Sequence, residues 1–232
     1  IFLGNLEAAQ LNLRRLPGQP DYNRVWPGTE ANAGEETRMM QEVLDTMRDR
    51  RAFASVDIHN NTGLNPHYAC VNVLENRHLQ LATLFSRIVV YFIRPVGVHS
   101  AAFAPHFPAV TLECGKPEES RGVDHALEYL DACLHLSQIP EHPVAAHDID
   151  LFHTMAQVKV PNNTSFSFTR DDVQIRFVEN LERMNFQETP ANTIFAFCDE
   201  VSSELLEARD ETGQLVTDQY FRCRDKRIEL IK

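Results

Sequence analysis

A short apolar run that ends abruptly in polar residues constrains this chain more than any other feature. Residues 52–58 read A-F-A-S-V-D-I, a mostly apolar run that predicts a buried strand. The polar sequence H-N-N-T follows at once, and Gly63 closes it. Because successive residues of a strand point to opposite faces, Asp57 and His59 should share one face. A carboxylate can orient a histidine as a metal ligand, although a core histidine satisfied by its neighbour fits these residues equally well.

Helix and strand signals alternate through the first part of the chain. Helices are predicted at residues 35–50, 77–86 and 123–136, and strands at residues 1–3, 68–73, 88–93 and 109–115. Polar residues at the carboxyl end of a core strand lie where open α/β sheets carry their chemistry. We therefore expect an α/β fold, with a mostly parallel mixed sheet that has helices on both faces.

The pattern of apolar and polar residues changes after Pro140 and Pro143. Short alternating runs, such as residues 152–160, are separated by turn residues, which is typical of small antiparallel sheets. We expect two domains, an α/β domain over residues 1–142 and a β-rich C-terminal domain over residues 143–232.

Charge and cysteine usage argue against several classes of function. The net charge is -11 over 232 residues, which argues against binding to nucleic acid or to anionic membranes, since lysine and arginine supply that affinity. The longest apolar run, residues 88–93, is far too short to cross a bilayer. The five cysteines are scattered without any C-x-x-C spacing, so we expect a reduced, cytoplasmic protein with neither a disulfide framework nor a zinc ribbon.

Two further stretches carry residues suited to chemistry. Glu113 ends the predicted strand A-V-T-L-E, and a partly shielded carboxylate there would have a raised pKa and could act as a general base. A strand-end glutamate paired with an arginine is the alternative interpretation. Asn23 and Arg24 lie side by side in a turn, where an arginine fork and an amide could grip a carboxylate. An arginine on the surface beside Trp26 explains the same residues equally well.

The remaining motifs are weak. His125 and Glu128 lie one turn apart on a predicted helix, as a zinc pair could. The apolar stripe of that helix is predicted to be Val123, Leu127 and Leu130. His125 lies roughly opposite this stripe, which favours a solvated face over a ligand pair. The sequence has no G-x-S-x-G, Walker or glycine-rich cofactor motif, so it does not indicate serine-hydrolase or nucleotide chemistry.

Four motifs occur in a fixed order over roughly residues 1–136. They are G-N-L-E-A-A from Gly4, D-Y-N-R-V-W-P-G from Asp21, D-I-H-N-N-T from Asp57 and V-T-L-E-C-G from Val110. In type and order they resemble the succinylglutamate desuccinylase/aspartoacylase family of the zinc carboxypeptidase superfamily. The residues after Pro143 resemble the β-rich C-terminal domain of that family only in their short alternating runs.

The resemblance implies a zinc hydrolase that uses an activated water. His59 would be the third protein ligand to a catalytic zinc, with Asp57 supporting it at the strand end. Glu113 would be the general base that takes a proton from the zinc-bound water. Zinc lowers the pKa of its water to about 7 and stabilises the tetrahedral oxyanion.

The resemblance also implies how a substrate would be held. Asn23 and Arg24 match the Asn-Arg pair that binds the substrate carboxylate in the family. Arg15, or failing that Arg14, would polarise the scissile carbonyl. Independently of the resemblance, Tyr220, near the end of the chain in D-Q-Y-F, is a further candidate for a substrate-binding hydroxyl.

Two departures from the family pattern bear on these expectations. The family takes its first two zinc ligands from an H-x-x-E motif before the Gly-Asn turn, and this sequence starts too late to contain it. We expect that the upstream segment is missing from this sequence, the alternative being that the protein has lost its zinc. No arginine lies between Arg94 and Glu113, where aspartoacylase-like members place one, so a dicarboxylate substrate loses its partner. Phe103 and Phe107 suit an apolar group better.

We therefore expect a zinc-dependent hydrolase that cleaves an amide bond next to a carboxylate, in a small N-acyl amino acid or a short peptide. N-acyl amino acid deacylase and carboxypeptidase-like metallopeptidase both stay open as activities, and so does assembly as a homo-oligomer. The alternative is a non-catalytic protein that keeps the fold as a carboxylate-binding or interaction module without zinc.

Overall fold

The computed structural model describes residues 1–199 and 205–231, which divide into two compact units. Unit 1 is Ile1–Asn61 with His67–His153, and unit 2 is Thr62–Pro66 with Thr154–Lys232. The domain boundary expected between residues 142 and 143 stays a prediction. Among the helices of the described ranges, none is both long and apolar enough to cross a membrane.

Unit 1 is built on a five-stranded mixed sheet. Its strands are β1 (Ser55–His59), β2 (Tyr68–Val71), β3 (Ile88–Tyr91), β4 (Ala109–Glu113) and β5 (Asp150–His153). The strand order is β1-β4-β2-β3-β5, in which β2 and β4 are antiparallel and all other neighbours are parallel. The expectation of a mixed α/β fold is confirmed, and the cover of both sheet faces by helices stays a prediction.

The helices of unit 1 agree in part with the patterns of the sequence. They are α1 (Leu6–Gln10), α2 (Glu35–Asp49), α3 (Asn76–Thr83), α4 (His99–Phe103) and α5 (Ser120–Leu134). The predicted α2 is confirmed, because its Met40 and Leu44 are buried and its first turn carries two glutamates that suit the helix dipole. Residues 1–3, predicted as a strand, lie outside all the strands described.

The buried face of α5 differs from the predicted one. Gly122 and Tyr129 are among its buried residues, whereas Val123 and Leu127 are 57% and 59% exposed. A Cβ atom at residue 122 would lie 2.0 Å from the carbonyl oxygen of Cys114, so glycine is needed for the helix to approach the end of β4 this closely. The close approach at a small residue, rather than the distribution of large apolar residues, decides which face of α5 is buried.

His125 does not lie on a solvated face of α5, contrary to the expectation from the sequence. Its ring stacks on Phe85 with centroids 4.2 Å apart, and its Nδ1 lies 2.7 Å from Nδ1 of His67. One ring must donate and the other accept in this hydrogen bond. His125 is therefore held by packing and by a second histidine.

Strand β4 contributes to two hydrophobic clusters, with Val110 and Leu112 in one and Ala109 in the other. Val110 and Leu112 are fully buried in the core cluster of unit 1. The alternate residues Thr111 and Glu113 belong to the other face, where the Thr111 hydroxyl donates to Ser100 Oγ at 3.0 Å. The predicted alternation along this strand is confirmed.

Unit 2 is rich in β-structure. Its strands are β6 (Ala156–Lys159), β7 (Phe166–Ser167), β8 (Ile175–Phe177), β9 (Ile194–Cys198), β10 (Glu207–Asp210), β11 (Phe221–Arg224) and β12 (Arg227–Leu230), and its helix is α6 (Thr217–Tyr220). One sheet has the order β11-β12-β9-β8-β7, and β10 pairs with β6 in a second. All of these pairings are antiparallel except that of β7 with β8. The run at residues 152–160, expected within the C-terminal domain, is divided between β5 of unit 1 and β6 of unit 2.

Candidate active site

The carboxyl ends of β1 and β4 bring two of the predicted site residues together. The strands are parallel, and their register pairs His59 with Glu113 and Asp57 with Thr111. Neighbouring strands lie about 4.8 Å apart, and residues in register share a face of the sheet. His59, Asp57 and Glu113 therefore stand on one face at the end of the sheet, and the shared face of Asp57 and His59 is the one that the sequence pattern predicted.

Asp57 and His59 form a close polar pair. Asp57 Oδ2 lies 2.8 Å from His59 Nε2, and each side chain is only 22% exposed. Burial alone would raise the pKa of Asp57, but the hydrogen bond and the charge of His59 outweigh it and hold that pKa below its usual range. Burial alone would lower the pKa of His59, and the Asp57 carboxylate reverses this and raises it. The pair fixes the ring so that Nε2–H points to Asp57 and Nδ1 carries the lone pair.

Glu113 has the environment that a general base requires. Burial raises the pKa of its carboxyl, and the charge of His59 together with a hydrogen bond from Asn61 opposes this only in part. The Asn61 amide donates to Glu113 Oε2 at 3.3 Å. Asn61 itself is held by its backbone N–H, which donates to the carbonyl oxygen of Gly115 at 2.9 Å. The carboxylate is therefore half-buried and oriented, and its pKa is raised.

Asn23 and Arg24 lie in a short 3-10 helix, Tyr22–Arg24, which begins after Asp21. The Asp21 side chain accepts a hydrogen bond from the backbone N–H of Asn23 at 3.0 Å and caps this turn. The Arg24 guanidinium donates to the carbonyl oxygen of Asn23, and burial lowers the pKa of Arg24. The turn is capped by Asp21, but the guanidinium of Arg24 is directed to the backbone of the preceding residue.

The two candidate arginines for carbonyl polarisation differ in their surroundings. Arg14 Nη2 lies 2.8 Å from Asp21 Oδ2, and the positive charge of Arg14 acts on both His59 and Glu113, lowering the pKa of each. Arg15 is exposed. A role of Arg15 stays a prediction, and the effect of the Arg14 charge on His59 and Glu113 favours Arg14 as the alternative.

A cavity of about 510 Å³ in unit 1 joins several of these residues. Asn23, Asp57 and His59 line it together with apolar side chains that include Trp26 and Phe103. Ligand sites are typically concave and mostly apolar with a few convergent polar groups, which is the composition of this lining. Glu113, Arg24 and Tyr220 are not among its lining residues.

His99 is the site residue that sequence reasoning missed. It is the first residue of α4, and its Nδ1 lies 3.8 Å from Asp57 Oδ2 while its Nε2 lies 3.1 Å from Ser55 Oγ. The signal available in the sequence was weak, because His99 and Phe103 are four residues apart in a loop with no strong helical pattern. Their rings stack with centroids 4.4 Å apart.

Gly97 explains how this loop reaches the site. Its φ angle is +73°, and a Cβ atom there would lie 2.6 Å from the carbonyl oxygen of Arg24. The backbone N–H of Trp26 donates to the carbonyl oxygen of Gly97 at 3.1 Å. Since only glycine tolerates both the angle and the approach, Gly97 ties the start of α4 to the Asn23–Arg24 turn.

Comparisons with known proteins bear on the fold. No family model matches the sequence, and no curated protein matches it either. The succinylglutamate desuccinylase of Chromobacterium violaceum is 16% identical, with a TM-score of 0.52 over 98% of this chain and 71% of that one. That of Vibrio parahaemolyticus is 15% identical, with a TM-score of 0.54 over 86% and 61%. A mutant of murine aminoacylase 3 is 14% identical, with a TM-score of 0.51 over 92% and 71%.

The chain has the fold of the succinylglutamate desuccinylase/aspartoacylase family. The resemblance inferred from the order of four motifs is thus confirmed for the fold. Identities this low establish the shared fold alone, and the chain spans 61% of the Vibrio parahaemolyticus desuccinylase and 71% of the other two structures.

A catalytic zinc in the desuccinylase fold would need three protein ligands. His59 fits one of these positions, because its Nδ1 carries the lone pair while Asp57 holds Nε2. Within residues 1–199 and 205–231, however, no group of three or more His, Cys, Asp or Glu side chains is arranged to hold a metal ion. The described part of this desuccinylase-like chain offers one ligand with its orienting carboxylate, and by itself it does not fit a zinc ion.

Tyr220 lies in unit 2, at the end of α6. Its ring is half-buried and packs against the hydrophobic core of that unit. Its carbonyl oxygen accepts a hydrogen bond from the backbone N–H of Ile231 at 2.7 Å. These contacts are those of a packing residue, and a substrate-binding role for the Tyr220 hydroxyl stays a prediction.

Proposed function

We propose that this protein is a hydrolase that cleaves an amide bond next to a carboxylate, with Glu113 as the general base. The observation that carries the proposal is the set of Glu113, Asp57 and His59 at the paired ends of β1 and β4. These groups have displaced pKa values within a desuccinylase fold, and displaced pKa values cluster at functional sites. Deacylation of a small N-acyl amino acid is the activity favoured by the names of the similar structures.

Glu113 would move the protons of the reaction. Its carboxylate would accept a proton from the attacking water as the water oxygen bonds to the amide carbon. The same carboxyl would then give that proton to the nitrogen of the leaving amine as the C–N bond breaks. The products are a carboxylic acid and an amine, so all the atoms of one water molecule are accounted for. The raised pKa of Glu113 favours this double role, because it lies closer to neutral pH than that of an exposed glutamate.

Asn23, Arg24 and Arg14 would bind and polarise the substrate. Arg24 would take the substrate carboxylate by releasing the carbonyl oxygen of Asn23, to which it now donates. Arg14 would face the scissile carbonyl, since its charge already acts on His59 and Glu113. Arg15 remains a candidate for carbonyl polarisation through the family resemblance alone, and Tyr220 remains a candidate for substrate binding through its place in D-Q-Y-F.

Zinc enters the proposal through His59. When bound, the metal would act as a Lewis acid on the water and on the carbonyl oxygen. Its other ligands would have to come from outside the described residues, so we assign no step to it. Metal analysis of the purified protein tests this, with equimolar zinc in the wild type and loss of zinc in His59→Ala as the expected result. Full activity in protein free of metal would overturn zinc dependence.

Glu113→Gln tests the catalytic proposal directly. Glutamine keeps the shape of the side chain but cannot accept a proton, so we expect kcat/KM to fall by about 10²- to 10⁴-fold. The assay is a panel of N-acyl amino acids and short peptides. Glu118→Gln is a matched control, because Glu118 is exposed and lies beyond the strand end. Activity of Glu113→Gln equal to that of the control would show that the assigned base is wrong.

A non-catalytic carboxylate-binding module is the second candidate. It is favoured by the lack of a three-ligand metal group among the residues that the structure describes. Such a protein would bind acyl amino acids without hydrolysing them and would carry less than one zinc per chain. Calorimetric titration with an N-acyl amino acid, followed by product analysis of the same sample, separates binding from turnover. We further propose that the protein is cytoplasmic and binds neither nucleic acid nor membranes. We also propose that it assembles as a homo-oligomer, which light scattering would test.

A further inference from the structure

His99 packs tightly against aromatic side chains, yet directs both ring nitrogens at polar groups. Its ring stacks on Phe103 with centroids 4.4 Å apart and meets the edge of Trp26 at 4.8 Å. Its side chain is only 13% exposed, and its Nδ1 is buried without a hydrogen-bond partner among the described residues. A phenylalanine could make the same aromatic contacts. Packing therefore explains the ring of His99 but not its nitrogen atoms.

The ring nitrogens of His99 face Ser55 and Asp57, and Asp57 is the residue that holds His59. Asp57 Oδ2 lies 2.8 Å from His59 Nε2 and 3.8 Å from His99 Nδ1, so one carboxylate oxygen is flanked by two imidazole rings. Ser55 Oγ lies 3.1 Å from His99 Nε2. When the Ser55 hydroxyl donates to Nε2, Nδ1 carries the proton and presents it to Asp57. A small rotation of the carboxylate would close the 3.8 Å separation to a hydrogen bond.

We propose that His99 is a positioning residue that holds the Asp57 carboxylate in place and thereby fixes the ring of His59. The proposal rests on the function proposed above, in which His59 belongs to the active site. His99 acts through Asp57 and does not touch the reacting atoms. Without this ring nitrogen, Asp57 loses the group that faces it at 3.8 Å and gains freedom to rotate away from His59. The orientation of His59 then loses its support.

Two substitutions separate the N–H of His99 from its packing. His99→Phe keeps an aromatic ring between Trp26 and Phe103 but removes both nitrogens. His99→Asn places an amide N–H close to the position of Nδ1 and restores a donor towards Asp57. His106→Phe is the matched control, because His106 lies on the same segment after α4 and is exposed. Thermal unfolding of all three variants verifies that they are folded.

The first measurement is steady-state hydrolysis of the best N-acyl amino acid. Loss of an outer partner of a catalytic ligand typically costs about 10- to 100-fold in activity. We expect His99→Phe to lower kcat by about that factor with KM nearly unchanged, and His99→Asn to recover most of the loss. The His106→Phe control should match the wild type. Equal kcat in His99→Phe and in the wild type would overturn the proposal.

The second measurement does not depend on activity. The Nε2 proton of His59 is observed by NMR, where its chemical shift and its exchange with water report the bond to Asp57. We expect faster exchange and an upfield shift in His99→Phe, and values close to those of the wild type in His99→Asn and His106→Phe. A fall in kcat without any change in this proton would also overturn the positioning role. If no substrate is turned over at all, the proposed function fails, while the NMR comparison still decides whether His99 holds Asp57 and His59.

Discussion

Two charged pairs, one in each unit, differ in what surrounds them. In unit 1, Asp57 and His59 are each 22% exposed, and burial raises the pKa of the neighbouring Glu113. In unit 2, Arg222 on β11 pairs with Glu229 directly opposite it on β12 at 2.8 Å, with Arg222 46% exposed and Glu229 17% exposed. A pair with one partner this exposed contributes about 0–1 kcal/mol to stability. Of these two pairs, only that of unit 1 shields both partners, which supports our proposal that the functional region lies at the ends of β1 and β4.

The largest difference between the two units is expected in the pH dependence of activity, which Glu113 of unit 1 should control. The base must be ionised, so kcat/KM should fall as the pH drops through the pKa of Glu113. Burial raises that pKa, so the fall should begin at a higher pH than for an ordinary glutamate. A pH–rate profile of kcat/KM measures this midpoint. A profile flat down to the usual range of glutamate would place the base elsewhere.

The stability of the fold should depend on the ionisation of Glu113 in the opposite sense to activity. Because the pKa of Glu113 is raised on folding, its ionised form is disfavoured in the folded state, and stability rises as the pH falls through that pKa. Glu113→Gln removes this cost, so we expect it to unfold at a higher denaturant concentration than the wild type at pH 7 while losing activity. Glu229→Gln in unit 2 should instead lower stability slightly, because Glu229 loses its pairing with Arg222.

The hydrophobic cores should respond alike in both units. Leu112 in β4 and Ile175 in β8 are each fully buried in their own core cluster. Truncation of such a residue to alanine leaves a cavity and costs about 2–5 kcal/mol. Denaturant unfolding of Leu112→Ala and Ile175→Ala measures both. A loss below about 1 kcal/mol in one of them would show that its unit is packed less tightly than the other.

Arg14 and Arg15 give a smaller effect that tests long-range charge in unit 1. The charge of Arg14 lowers the pKa of Glu113, so Arg14→Gln should raise that pKa and move the acid limb of kcat/KM to higher pH. Arg15→Gln should leave the limb unchanged. Because Arg14 is 62% exposed, the difference should shrink as salt is added. A larger shift in Arg15→Gln would restore Arg15 as the residue next to the carbonyl.

The smallest effect is expected at the surface pair of unit 2. Arg222→Ala removes the ion pair with Glu229 and should lower the free energy of unfolding by about 0.2–1 kcal/mol, with no change in activity. A double-mutant cycle with Glu229→Ala isolates the pair. A coupling energy well above this range would mean that charge in unit 2 is as important to that unit as buried charge is to unit 1.

Local patterns in the sequence were sufficient for much of unit 1. The apolar run before His59 and the alternation along β4 predicted both strands, the shared face of Asp57 and His59, and that of Thr111 and Glu113. These inferences succeed because the period of a strand is a local property. Their pairing in a single register was not predicted from either strand alone, since it depends on contacts distant in sequence. The run before His59 was expected to be buried, but Ile58 within it is 46% exposed.

The failures arose where backbone contacts distant in sequence decide the structure. The buried face of α5 depends on the approach of Gly122 to the carbonyl of Cys114, which no helical periodicity reveals. His99 reaches Asp57 because Gly97 packs against the carbonyl of Arg24, although these residues are far apart in the chain. The role of Arg15 rested on resemblance and that of Tyr220 on its place in the sequence, and both roles stay predictions.

The register between β1 and β4 makes the site sensitive to the insertion or deletion of a single residue in either strand. His59 stands beside Glu113 because the five residues of each strand pair one to one. A deletion or insertion of one residue inside β4 would turn Glu113 towards the core and bring Leu112 or its neighbour to the polar face. The same change in the segment between α5 and β5 leaves this pairing intact. Length variation among related chains is therefore expected in that segment and not within the strands, and a library of single-residue insertions would map this boundary directly.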